Sequence, residues 1–163
     1  MAATPSPSRQ GAGAFRRPDD RPVEFWPTSA IRAALDDDDL GVWQRIVAAI
    51  KRDPFGRTAR QVEEVLETEQ PYGVSAALAC VLDKARQHLE TNERAEVSRH
   101  VRQLLEHSEL GAPEFASRIG VSIDEFTGWL DKVGTPSASM MIRMRRLSDR
   151  FARIRAQRVA NSG

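Results

Sequence analysis

The chain has 163 residues, 40% of them apolar, and a formal net charge of +1. That size holds one ordinary domain or two small ones, and near-neutrality excludes a protein that grips a polyanion with its whole surface. The charge is nevertheless sorted: 14 basic residues stand against 16 acidic ones up to residue 100, and 10 against 7 beyond it.

Residues 1–24 are rich in Ala, Pro, Ser, Gly and Arg without an apolar period, the pattern of a disordered tail. Its Arg9, Arg16, Arg17 and Arg21 read either as solvated charge or as a flexible arm for phosphates. Order is expected from Phe25-Trp26-Pro27, with Thr28 or Ser29 capping a short helix through Leu35. The run Asp36-Asp37-Asp38-Asp39 lacks the alternating spacers and Gly turn of a calcium loop, and reads as a loop and N-cap. The next helix carries Leu40, Trp43, Ile46, Val47 and Ile50 at spacings of three and four. Asp53-Pro54-Phe55-Gly56 breaks it.

Thr58-Ala59-Arg60-Gln61 has the form of a capping box and opens a helix bearing Val62, Val65 and Leu66. Pro71-Tyr72-Gly73 ends that segment. A longer helix follows with Leu78, Val81, Leu82, Ala85 and Leu89. Another is expected to start near Asn92, with Val97, Val101, Leu104 and Leu105. Cys80 is the single cysteine, which excludes an internal disulfide. Its apolar helical setting predicts a small buried hydrophobe rather than a reactive thiol. No stretch alternates with a period of two, so the chain reads as all-α.

Residues 112–130 read as a helix, a tight turn at Gly120 and a second helix, the layout of a helix-turn-helix whose second helix enters the DNA major groove. Gly73-Val74-Ser75 echoes Gly120-Val121-Ser122. Three matching residues fall within chance, so no repeat is read, although a divergent second unit of this kind at 58–88 stays open. Leu110, Phe115 and Ala116 take apolar positions of the first helix, and Ala116 is small where two helices approach. Ile119 and Val121 flank Gly120, whose missing Cβ permits a positive φ. Ser122 caps the second helix, Phe126 with Trp129 or Leu130 gives its buried face, and Pro136 restarts the chain after Gly134.

On these residues the segment from Leu104 to Leu147 resembles the lambda-repressor-like helix-turn-helix of the XRE (Cro-type) transcriptional regulators. The resemblance implies operator binding by a cytoplasmic bacterial regulator, usually as a homodimer on double-stranded DNA. Residues 112–130 would then place Ser122, Ile123, Asp124, Thr127 and Gly128 toward the bases, with Arg118 and Lys132 beside the backbone. The strong preference for Arg over Lys, 21 against 3, fits a GC-rich bacterial genome.

The sequence departs from that family on the DNA side. The polar Ser-Gln that grips phosphate at the start of the first motif helix is Gly111-Ala112 here. Asp124 and Glu125 stand where the family has side chains for bases, and no Arg or Lys is placed for the bidentate contact to guanine. Ser122-Ile123-Asp124-Glu125 is itself a capping box, so both acids fit helix stabilisation as well as a contact to cytosine N4. With little direct readout on offer, backbone contacts and DNA shape would carry the affinity.

Those contacts fall to the last helix. Met140, Met144, Leu147, Phe151 and Ile154 form a narrow apolar seam. Between residues 137 and 163 seven arginines face the single acid Asp149. Arg143, Arg145 and Arg146 are the candidate phosphate contacts there, and an acidic protein partner is the other reading of that charge.

His88, His100 and His107 do not have metal-ligand spacing, and no catalytic or nucleotide-binding motif occurs. No metal, cofactor or enzymatic activity is expected. No apolar run approaches the ~20 residues of a membrane span, and no hydrophobic signal core begins the chain.

The expectation is an all-α chain: a disordered tail (1–24), an N-terminal helical domain (25–91) for dimerisation or partner or effector binding, a helix-turn-helix DNA-binding domain with an extended basic C-terminal helix (92–158), and a disordered end (159–163). The alternative function is a protein-interaction module, an antitoxin or adaptor, whose degenerate helix-turn-helix docks a protein partner.

Overall fold

The computed structural model describes residues 21–37, 39–68 and 73–162. Most of the expected tail with Arg9, Arg16 and Arg17, as well as Asp38 and the Pro71-Tyr72 break, lies outside the described residues. The described residues are all-helical, without a strand: a 3-10 turn at Val23–Phe25, then α1 (Thr28–Asp36), α2 (Leu40–Arg52), α3 (Arg57–Thr68), α4 (Val74–Ser108), α5 (Ala112–Ile119), α6 (Ile123–Leu130) and α7 (Ala138–Asn161). No described helix is long and apolar enough to cross a membrane. The chain divides into two compact units at Ala85/Arg86.

In the first unit α3 packs against α1 and α2, and the 3-10 turn sits on α2 and α3. The core joins Val23, Trp26, Ile31, Ile46, Ile50, Val62 and Val65 to Leu78 and Leu82 of α4. Packing therefore begins at Val23, inside the segment expected to be tail, because a 3-10 turn buries that side chain beside Trp26. The Trp26 indole donates to the Arg21 carbonyl at 3.0 Å, and the Arg45 guanidinium lies 4.9 Å from the centre of its ring.

Several local expectations are corrected. Thr28 is the first residue of α1 rather than its cap, and neither it nor Ser29 caps the helix, whose N-cap is Pro27. Leu40 is 67% exposed, and Val42 takes the buried place. Asp39 does cap α2, accepting from the amides of Gly41 at 2.8 Å and Val42 at 3.3 Å. Thr58 and Gln61 lie inside α3, which starts at Arg57, so they form no capping box. The buried Gln61 amide instead donates to the Trp26 carbonyl at 2.9 Å.

The two helices expected on either side of Asn92 are one helix, α4. No Gly or Pro interrupts it, and its polar side chains point back along it instead of capping a new start. Thr91 Oγ1 donates to the Gln87 carbonyl at 2.8 Å, Asn92 Nδ2 lies 3.1 Å from His88 Nε2, and Arg94 pairs with Glu90 at 3.4 Å. Cys80 on this helix is exposed, not buried as expected, because the inner face belongs to Leu78 and Leu82.

The second unit has its own core: Val101, Phe115, Ala116, Ile119, Phe126, Trp129 and Met144, with Leu104, Leu105, Met140 and Leu147 packed around it. Its α7 runs on through Val159, Ala160 and Asn161, residues expected to be disordered. Nothing breaks a helix there before Gly163, and Ser162 Oγ closes it on the Arg158 carbonyl at 2.8 Å.

The contrast between Ile46, fully buried, and Leu40 is testable. Ile46→Ala should lose about 2–5 kcal/mol, and Leu40→Ala less than about 0.5 kcal/mol, in chemical denaturation followed by circular dichroism.

Candidate nucleic-acid interface

Within the second unit α5 packs against both α6 and α7. Gly120 ends α5 in the left-handed region, at φ 86°. Its amide bonds the Ser117 carbonyl at 3.2 Å, and the Val121 amide bonds the Ala116 carbonyl at 3.1 Å. This pair satisfies the last carbonyls of α5, and Val121 packs into the same core as Ala116. One residue later Ser122 Oγ accepts from the Glu125 amide at 3.1 Å and starts α6. The return bond of a full capping box is not made, and the Glu125 side chain is exposed.

The aromatic rings set the roll of α6. Phe126 packs on Phe115 with the ring centres 5.4 Å apart and the planes tilted by 40°, and meets Trp129 edge-on at 6.1 Å. With Phe126 and Trp129 inside, Ser122, Ile123, Asp124 and Thr127 stand exposed and Gly128 is half-buried. A Cβ added to Gly128 would meet no atom within 4 Å, so packing does not require glycine there. The helix carries Asp124 and Glu125 exposed in its first turn and no cation, and the exposed pair Asp131 and Lys132 follows its end. The two acids near the helix start complement its dipole. Chemically the outer side can offer a methyl contact from Ile123 or Thr127 and an acceptor from Asp124.

The end of α6 is held from α4. Ser98 Oγ donates to the Leu130 carbonyl at 2.6 Å, and Arg102 donates to the same oxygen at 3.2 Å. Lys132 follows with φ 64°, while the Val133 amide reaches back to the Gly128 carbonyl at 2.9 Å. Lys132 is thus a left-handed closing residue as well as an exposed cation. At the start of α5, Gly111 is the N-cap and offers no side chain to a phosphate, and Glu114 stands in the first turn.

The candidate cations separate into two kinds. Arg118 bonds Glu114 through Nε at 3.0 Å and Nη2 at 2.8 Å, and its guanidinium lies 4.8 Å from the centre of the Phe151 ring. It is exposed but engaged by an ion pair within its own helix. Arg143, Arg145 and Arg146 are exposed and make no hydrogen bond or ion pair with any described residue.

Arg155 is the residue that sequence reasoning left among the general charge of α7. It donates to the carbonyls of Ser108 and His107, each at 2.5 Å, and its Nε lies 3.2 Å from Glu109 Oε1. Those carbonyls end α4, so Arg155 caps the helix with a cation where its dipole is negative. Ser148, also on α7, is buried and donates to the Leu104 carbonyl at 2.8 Å. A signal existed for both. Ser148 and Arg155 follow Met144 by four and eleven residues, one and three helical turns, on the apolar face.

Compared with known proteins, the chain matches no family model, no curated protein and no solved structure.

Two sets of substitutions check this geometry. Gly120→Ala should destabilise the second unit by about 1–2 kcal/mol, because φ 86° strains any side chain. Lys132→Gly relieves similar strain against ~0.4–1 kcal/mol of added unfolded-state entropy, and should stabilise by about 0.5 kcal/mol in the same melt. Arg155→Met should lose about 1.5–3 kcal/mol, whereas Arg146→Gln should stay within about 0.5 kcal/mol.

Proposed function

We propose that the chain is a DNA-binding transcriptional regulator in which residues 112–130 act as a helix-turn-helix of the XRE kind. The observation that carries this reading is the pair α5 and α6, joined through left-handed Gly120, with the Ser122, Ile123 and Thr127 side of α6 kept exposed by burial of Phe126 and Trp129. In the major groove, Ile123 and Thr127 meet thymine methyl groups and Asp124 accepts from cytosine N4. Lys132 and the exposed arginines of α7, Arg143, Arg145 and Arg146, neutralise phosphates. Direct readout is weak, so backbone contacts and DNA shape supply most of the affinity. A homodimer places two such units on half-sites one helical turn apart, and the first unit supplies dimerisation or a partner surface.

A second reading has its own observation: α6 carries the exposed Asp124 and Glu125 and no cation. Such a surface repels phosphate and suits a basic protein partner, as in an antitoxin or adaptor.

Binding of labelled random and genomic duplexes separates the two. The regulator should bind at about 50 mM salt, lose affinity steeply toward about 200 mM, and enrich a preferred sequence. Ile123→Ala or Thr127→Ala should then change the preference more than the affinity. Absence of binding at low salt, with a protein that co-purifies stably, would overturn the regulator in favour of the docking module.

A further inference from the structure

Four of the seven arginines of α7 share one face. Arg143, Arg146, Arg150 and Arg153 follow one another at spacings of three, four and three, and all four are exposed. That spacing stacks side chains on one side of a helix, along about 15 Å of its length. Met144 and Ser148, both buried, lie on the opposite side of the same helix. Arg143, Arg146 and Arg150 have no partner among the described residues, and Arg153 bonds only the backbone carbonyl of Asp149, through Nε at 3.3 Å. The remaining arginines differ. Arg155 caps α4, while Arg145 and Arg158 stand off this row.

We infer that Arg143, Arg146, Arg150 and Arg153 form a continuous track for the phosphate backbone of duplex DNA, which binds without regard to sequence and does not require the outer side of α6. The inference rests on the DNA-binding reading and names the surface that supplies its affinity. All four cations are arginines, whose planar fork matches phosphate oxygens in pairs. About 15 Å of duplex axis carries on the order of nine charges, so each guanidinium finds its own phosphate. A membrane surface fits less well. The apolar seam of α7, with Met140, Met144 and Leu147, is packed in the core, and the large apolar side chains that the helix exposes, Ile142 and Val159, stand too far apart along it to form an inserting face. The track explains how a unit whose α6 presents two carboxylates and no cation can stay on DNA: the arginines hold it and let it slide, and α6 adds only a preference.

The test is fluorescence anisotropy of the full chain on a random-sequence duplex across a salt series. R143Q/R146Q/R150Q/R153Q keeps helix propensity, and unchanged circular dichroism verifies the fold. Its log-affinity against log-salt slope should fall by about 3.5, with binding at low salt weakened by more than ~100-fold. A charge-matched control, K51Q/R57Q/R60Q/K84Q in the first unit, should change the slope by less than about 1. Wild-type binding with an unchanged slope in the track variant overturns the track and leaves the DNA-binding reading standing, and so does a control that loses as much as the track variant. Stronger retention on anionic vesicles than on duplex also overturns it. A wild-type chain that binds no duplex at low salt overturns the DNA-binding reading itself.

Discussion

Two helices of eight residues do not persist alone in water, so everything presented by α5 and α6 depends on one contact, Phe115 against Phe126 at 5.4 Å. Trp129 closes the same cluster from the far end of α6. Burial of these rings fixes the angular position of α6, and that position decides which residues face outward. The left-handed turn at Gly120 is the backbone consequence: it joins α5 to α6 through three residues while keeping the carbonyls of α5 satisfied. The exposed row of Ser122, Ile123, Asp124 and Thr127 is thus a by-product of aromatic packing. A polar surface has no comparable force to orient it.

The arginines show how one residue type divides between structure and surface. Arg155 and Arg118 are held by partners inside the second unit, one by helix-end carbonyls and one by Glu114 and the Phe151 ring. An arginine so engaged would have to give up those bonds before meeting a phosphate. Arg143, Arg146 and Arg150 give up nothing, because no described group competes for them. The proposed DNA contact therefore draws on α7 rather than on Arg118, and sequence charge alone makes no such distinction.

Much of the helical layout was legible. The spacings that bury Ile46, Ile50, Val62, Val65 and Val101 follow from 3.6 residues per turn, and so does the Asp39 cap. What failed were inferences from single polar residues. Thr58 and Gln61 have the spacing of a cap, yet Gln61 is buried and turned toward the Trp26 carbonyl, 35 residues away. Asn92 looked like a helix start, but its side chain folds back toward His88. A polar side chain takes whichever partner the packing brings near, and local spacing does not name that partner.

The amino-acid order was enough to require helices, to mark Gly120 and Ser122 as a turn and a cap, and to gather positive charge on α7. Those features rest on interactions within a few residues. Tertiary packing decided the rest: Ser98 and Arg102 hold the end of α6, Ser148 is tied to Leu104, and Arg155 closes α4 from 47 residues further along the chain. These bonds exist because the core sets the register of α4, α6 and α7. Only that register separates the arginines that build the fold from those that line its surface.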